Sequence, residues 1–355
     1  MASELKQTSD PKWGWVPVTG RLLRPEQSVT GMAARRNSRG GPVGSGYVRV
    51  LVTNDDGVTA PGIAALTRAL VGWSEASAAA GGPRHEIVVM APSSNYSGAG
   101  AAVGSVTDDT SIAWQRATIE GAEGVEAYGL DASPALSVIA GAMGAMGSKP
   151  DLVVSGINHG VNVGRSILHS GTVGAALTAS QLGMSALAVS LRAGETPDPW
   201  ESAADLAVAL LPLLVSAPVR TVLNLNVPAL PMEKILGLRW ARVSGQGLIK
   251  AASGTGGWQS PNPPEMEGPA AAEGSRAIMK RTSADSGEIK LSVGSPFPRS
   301  ANISETEAAE DAALVGQGYA ALTALRGPRA DEDPELFRLL DAGLAASLAP
   351  LGLTA

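Results

Sequence analysis

From residue 48 onward the chain alternates short, wholly apolar runs with amphipathic stretches, and polar, glycine-containing loops separate them. Val48-Arg49-Val50-Leu51-Val52-Thr53 is β-branched and aliphatic and stops at Asn54-Asp55-Asp56-Gly57. Pro61 then opens a run in which Ile63, Leu66 and Leu70 recur at helical spacing, as suits a first-turn proline. The pattern predicts strand, acidic loop, helix. It repeats with Glu86–Pro92, which ends in Ser93-Ser94-Asn95-Tyr96-Ser97-Gly98, and with Pro150–Ile157, which runs into Asn158-His159-Gly160-Val161-Asn162-Val163-Gly164. Further strands are predicted at Ser185–Ser190 and Thr221–Pro228, with short irregular ones at Ala113-Trp114 and Val125–Tyr128. Helices are predicted at Ser133–Met146, after Ser170-Gly171-Thr172, and at Ala203–Val215.

This alternation predicts a doubly wound, Rossmann-like α/β domain with a mainly parallel sheet over residues 47–230. Residues 231–355 read as a smaller region of β-rich and helical character. It has β signals at Glu288–Val293, an acidic helical start at Glu305–Leu314, a strand at Tyr319–Thr323 and an amphipathic last helix at Pro334–Leu348. The segment 253–274 reads as a long insert, and residues 1–46, without periodicity, as a disordered basic extension.

Composition narrows the chemistry. The chain has 355 residues, 44% hydrophobic and 17% charged, which suits a globular protein. It has no Cys, so disulfides, thiolate metal sites and Cys nucleophiles are excluded, and three His (His85, His159, His169) leave little for a His-rich zinc site. The net charge of −6 is uneven: residues 1–47 carry seven Lys/Arg against three acids, a net of +4, which leaves −10 for the rest. An acidic body argues against a nucleic-acid polymer as partner. No apolar run is long enough to span a membrane and no signal-peptide pattern opens the chain, so a cytoplasmic location is expected.

In a parallel sheet the loops after Thr53, Pro92 and Ile157 fall on one edge, where open α/β sheets bind ligands. Adjacent carboxylates repel, and a hard divalent cation such as Mg²⁺ or Mn²⁺ would offset that; Asn-Asp-Asp-Gly is also ordinary turn chemistry. Two carboxylates, a hydroxyl and an amide oxygen converging there suit an oxygen-only cation site. Ser170-Gly171-Thr172 before a helix suits a phosphate, or is a plain helix cap. Together these features suggest metal-assisted phosphoester hydrolysis. His159 and His169, beside this edge, are either proton donors to a leaving alkoxide or surface residues. Asp311 is either a general acid/base or an ordinary acid at a helix start.

The sequence resembles the SurE (survival protein E) family of metal-dependent nucleoside monophosphate phosphatases. The resemblance rests on Asn54-Asp55-Asp56-Gly57 with Ala60-Pro61-Gly62, and on Ala91-Pro92 followed by Asn95 and Ser97-Gly98-Ala99. It also rests on Ser155-Gly156-Ile157-Asn158-x-Gly160-x-Asn162-x-Gly164 and Ser170-Gly171-Thr172-Val173-x-Ala175-Ala176, with a weaker echo at Asn224–Pro228. It implies Asp55, Asp56, Ser97 and Asn158 as ligands of one Mg²⁺ or Mn²⁺. It implies Ser170, Gly171 and Thr172 on the phosphate side, Asn162 lining the same cleft, and hydrolysis of nucleoside 5′- and 3′-monophosphates. A homodimer or homotetramer is also implied, with residues 280–325 as an exchanged segment. Ser93 stands where the family usually has Asp, and a usual basic residue near Ser94 or Tyr96 is missing, departures beside Ser97 that bear on substrate preference; His169 stands where the family usually has Tyr. Two other readings stay open: a same-fold phosphatase for another phosphorylated metabolite, and a non-catalytic nucleotide- or metal-binding protein. A haloacid-dehalogenase type of phosphatase is disfavoured, because its two Asp are separated by one residue.

Overall fold

In the computed structural model, which describes residues 46–194, 198–245, 276–281, 287–292, 297 and 308–327, all five residues of β1 (Arg49–Thr53) are buried. A strand covered on both faces needs apolar residues at consecutive positions. Val50 and Val52 enter one core and Leu51 the other. Arg49, the one charged residue in the strand, is 6% exposed and pairs with Glu86 at 3.1 Å.

After β1 come α1 (Pro61–Ala79), β2 (Glu86–Pro92), β3 (Trp114–Ala117), β4 (Glu126–Leu130), α2 (Pro134–Ala142) and β5 (Leu152–His159). A 3-10 turn (Gly164–His169), α3 (Gly171–Gln181), β6 (Ser185–Leu191), α4 (Trp200–Ser216) and β7 (Val222–Val227) follow. The described remainder holds β8 (Leu238–Trp240), a hairpin of β9 (Arg276–Arg281) and β10 (Gly287–Ser292), then α5 (Asp311–Gly316) and β11 (Ala320–Leu325).

The main sheet has nine strands in the order β3-β4-β2-β1-β5-β6-β7-β11-β8. The six from β4 to β7 run parallel. The chain leaves β1 towards β2 on one side and returns to β5 on the other. The switch point therefore lies at β1, and a crevice opens outside the ends of β2, β1 and β5. Helices α1 and α4 cover one face with Ile63, Leu66, Leu70 and Leu211; α2 and α3 cover the other, largely with Ala and Val.

The α/β class is as the pattern predicts, but the sheet does not stop near residue 230. Strand β11 pairs antiparallel with β7, Leu322 opposite Leu225 and Thr323 opposite Asn224, and β8 pairs parallel with β11. Helix α2 is shorter than the predicted 133–146. Ser133 caps its start by accepting from the Leu136 N–H. A first unit runs to Leu325, and the second, Arg326–Ala355, lies almost wholly outside the described residues. So do the extension 1–45, the insert 253–274 and the predicted last helix. No helix among the described residues is long and apolar enough to cross a membrane.

Candidate active site

The loop after β1 is built by Asn54. Fully buried, it donates from Nδ2 to the Gly57 carbonyl (2.9 Å) and accepts the Gly57 N–H on Oδ1 (3.2 Å), closing a tight turn. That turn holds Asp55 inward, 2% exposed, and leaves Asp56 partly open to solvent. Three neighbouring loops are tied to it. The Tyr96 N–H donates to the Asp55 carbonyl (2.7 Å), which brings the loop carrying Ser97 alongside. The His159 N–H donates to Asp56 Oδ2 (3.0 Å), which brings Asn158 at the end of β5. The third tie comes from α3: Thr172 gives its N–H to Asp55 Oδ2 (3.1 Å) and its hydroxyl to Oδ1.

Gly171 makes that third tie sterically feasible. A Cβ there would lie 2.7 Å from the Asp55 Cβ and 2.9 Å from its Oδ2, so only glycine lets the α3 N-terminus come this close. Ser170 caps the helix by accepting from the Val173 N–H (3.1 Å). The hydroxyls of Ser170 and Thr172 and the N–H groups of Thr172, Val173 and Gly174 are thus engaged within the protein, and a phosphate on this side would meet the positive end of the helix dipole at Gly171.

Burial pushes the Asp55 carboxyl above its ordinary pKa. The Thr172 hydroxyl opposes the shift and the charge of Asp56 adds to it. A cation would reverse this balance, since it stabilises both carboxylates in their charged form. The donor set fits a hard divalent ion. Asn158 spends Nδ2 on the Gly160 carbonyl (2.6 Å), which leaves its amide oxygen as the free donor atom, and Ser97 is exposed with its backbone N–H held by Asn95 Oδ1 (2.8 Å). Among the described residues no cluster of three or more His, Cys, Asp or Glu could hold a metal. A metal site here would have to take two carboxylates and neutral oxygens, with water completing the shell.

Asn162 sits behind this edge. It is 8% exposed; its N–H donates to Asn226 Oδ1 (2.7 Å), its Nδ2 to Ser190 Oγ (2.8 Å), and its carbonyl accepts from Asn224 and Asn226 (3.0 Å each). Its side chain fastens the 158–164 loop to β6, and its backbone N–H and carbonyl fasten it to β7.

Asp311 lies in the first turn of α5. It is fully buried, and its carboxylate accepts from the backbone N–H of Gly164 (3.0 Å), Ser244 (3.0 Å) and Ala312 (2.8 Å). A carboxylate so enclosed joins three chain segments, which is a structural role. Each orphaned buried N–H costs about 1–3 kcal/mol, so Asp311→Ala is expected to lower the unfolding free energy by about 3 kcal/mol or more, read by urea denaturation. Unchanged stability with lost turnover would restore the proton-carrier role.

Beside Asp56 a cavity of about 550 Å³ opens against Ala60, Pro61 and Gly62 of the α1 start, with His159, Asp198 and Trp200 on its other sides. The His159 ring, half exposed, places Nε2 3.1 Å from Asp198 Oδ2, and it lies 5.6 Å from the Trp200 ring. His169 is exposed, and its carbonyl takes the Gly100 N–H (3.0 Å). Sequence reasoning assigned no role to Asp198 or Trp200. Their only signal was Asp198-Pro199-Trp200 at the start of a helix, after a strand end on the same sheet edge.

Comparison with known proteins agrees with this architecture. The profile of the family described as Survival protein SurE matches residues 50–249, more than half of the chain. A 5′-nucleotidase SurE from Pseudomonas putida (strain W619) is 41% identical over 198 residues, which cover 55% of this chain and 71% of that protein. A 5′/3′-nucleotidase SurE from Cronobacter sakazakii is 40% identical over 197 residues, covering 55% and 69%. The crystal structure of the SurE protein from Aquifex aeolicus superposes with a TM-score of 0.58 at 25% identity, covering 82% of this chain and 99% of that one. With its acidic β1 loop, its switch-point crevice and these matches, the chain belongs to the SurE family.

Proposed function

We propose that this protein is a metal-dependent phosphomonoesterase that hydrolyses nucleoside 5′- and 3′-monophosphates to nucleoside and phosphate. The observation that carries the reading is the buried Asp55 beside Asp56 at the switch point, with Thr172 and the α3 N-terminus against it. The activities named for the Pseudomonas and Cronobacter relatives support it.

In this reading Asp55, Asp56, Ser97 and Asn158 hold one Mg²⁺ or Mn²⁺. Such an ion would supply Lewis acidity to the phosphoryl group and to a water molecule. Asp55, clamped by Thr172, keeps a fixed orientation and needs no reorganisation when the substrate arrives. Asp56, the more open carboxylate, lines the cavity and in this reading would accept a hydrogen bond from the attacking water. The Ser170-Gly171-Thr172 segment offers its helix start to the phosphate. Assembly as a homodimer or homotetramer and a cytoplasmic location belong to the same reading, supported by the family resemblance.

A phosphate-release screen across nucleoside monophosphates, sugar phosphates and polyphosphate tests it. Release from nucleoside monophosphates with Mg²⁺ or Mn²⁺, abolished by EDTA and restored by added metal, is the expected result. Equal release without metal would overturn the mechanism.

A further inference from the structure

We propose that the cavity beside Asp56 is the nucleoside subsite, and that the indole of Trp200 stacks on the base. The identity of the ligand rests on the phosphomonoesterase reading; the subsite itself rests on its walls. The cavity, at about 550 Å³, falls within the range of small-molecule sites. Asp56 is part of its lining, so a molecule whose phosphoryl group is held beside Asp56 can extend into it. One side is flat and apolar: Pro61 and Gly62 of α1 and the Trp200 ring at the start of α4. Gly62 lets that ring lie against the helix, since a Cβ on Gly62 would come 3.0 Å from the Trp200 Cζ3.

The other side is polar and incompletely satisfied. The Asp198 side chain is 9% exposed; Oδ2 is paired with His159 Nε2, while Oδ1 is buried without a hydrogen-bond partner among the described residues. A carboxylate on the cavity wall suits a ligand that brings N–H or O–H donors, and a small turn of the side chain would bring the unsatisfied Oδ1 to them. A nucleoside supplies both features, a flat ring for the indole and hydroxyl or amino donors for the carboxylate. A sugar phosphate lacks the ring, and polyphosphate lacks both. Every base has a π-face, so stacking on Trp200 selects for the presence of a base rather than for its identity.

The test pairs a binding and a kinetic measurement on the full chain. Calorimetric titration with adenosine, in EDTA so that metal plays no part, should detect binding to the wild-type protein. Trp200→Ala should weaken that binding about tenfold, while Trp200→Phe, which keeps a ring, should retain most of it. In phosphate release with Mg²⁺ or Mn²⁺, Trp200→Ala should lose about tenfold more kcat/KM for AMP than for ribose 5-phosphate, mainly through KM. Three results would overturn the subsite: no adenosine binding by wild type, unaltered binding by Trp200→Ala, or equal losses on the two substrates. Adenosine binding that depends on Trp200 in a protein releasing no phosphate would uphold the subsite and defeat the phosphomonoesterase reading instead.

Discussion

Asp55→Asn is expected to remove phosphate release by about a thousandfold, equivalent to ~4 kcal/mol of lost transition-state stabilisation, while leaving the fold intact. The amide keeps the local geometry. Its oxygen can accept the Thr172 N–H, and its Nδ2 can donate to the Thr172 hydroxyl, which rotates to accept. What is lost is the negative charge that would hold a cation in a buried position. Asp56→Asn should act alike, because its amide oxygen can still take the His159 N–H.

Stability should move the other way. Burial raises the folded-state pKa of Asp55 above the ordinary carboxylate value. Its contribution in the metal-free protein is therefore full below the unfolded pKa and is lost as pH rises through the folded one. At neutral pH the metal-free Asn variant should melt no lower than wild type, and it should lack the stabilisation that wild type gains on acidification through the carboxylate range. Thermal melts in EDTA at several pH values, alongside phosphate release, check both halves. Full turnover in either variant would remove these residues from the mechanism.

The second large effect is expected at a residue with no side chain. Gly62→Ala should destabilise the protein by about 3 kcal/mol or more, at or beyond the upper end of overpacking costs. A Cβ on Gly62 would lie 2.0 Å from the carbonyl oxygen of Ile157, a backbone atom that cannot rotate away, and 3.0 Å from the Trp200 ring. Ile157 is fully buried in β5 and immediately precedes Asn158, so relief requires α1 to lift from the strand that carries part of the candidate metal site. A melting temperature lower by about 10 °C follows for a domain of this size, with weaker metal binding in the molecules that fold. A melting temperature unchanged from wild type would mean that α1 and β5 do not approach this closely.

Much of this protein was legible in the order of its residues. Consecutive apolar positions such as Val50-Leu51-Val52 announce a strand buried on both faces, because each face meets its own helix layer. Strands alternating with helical spacing announce a parallel sheet, and that alone sends Asp55, Ser97 and Asn158 to one edge. Pro61 marks the start of α1 through its fixed φ and missing N–H, both local properties. Local chemistry does not carry partner choice. Nothing in Tyr319–Thr323 says that β11 lies antiparallel against β7, and the sheet therefore extends past the boundary that the change of pattern suggested. Asp311 read equally well as acid catalyst or helix-start acid until its three backbone donors, from Gly164, Ser244 and Ala312, came into contact with it. Asn162, in a motif rich in polar residues, proved to be held by Asn226 and Ser190, on strands far along the chain.

The sequence by itself determined the strand-loop-helix units, the acidic loop at the end of the first strand and the oxygen donors gathered on its edge, because periodicity and turn chemistry act over a few residues. Only the tertiary structure decided how closely the units approach. The steric need for glycine at 62 and 171, the clamp of Thr172 on Asp55, and the meeting of Trp200 and Asp198 with Asp56 around one cavity all depend on contacts between segments that no local pattern records.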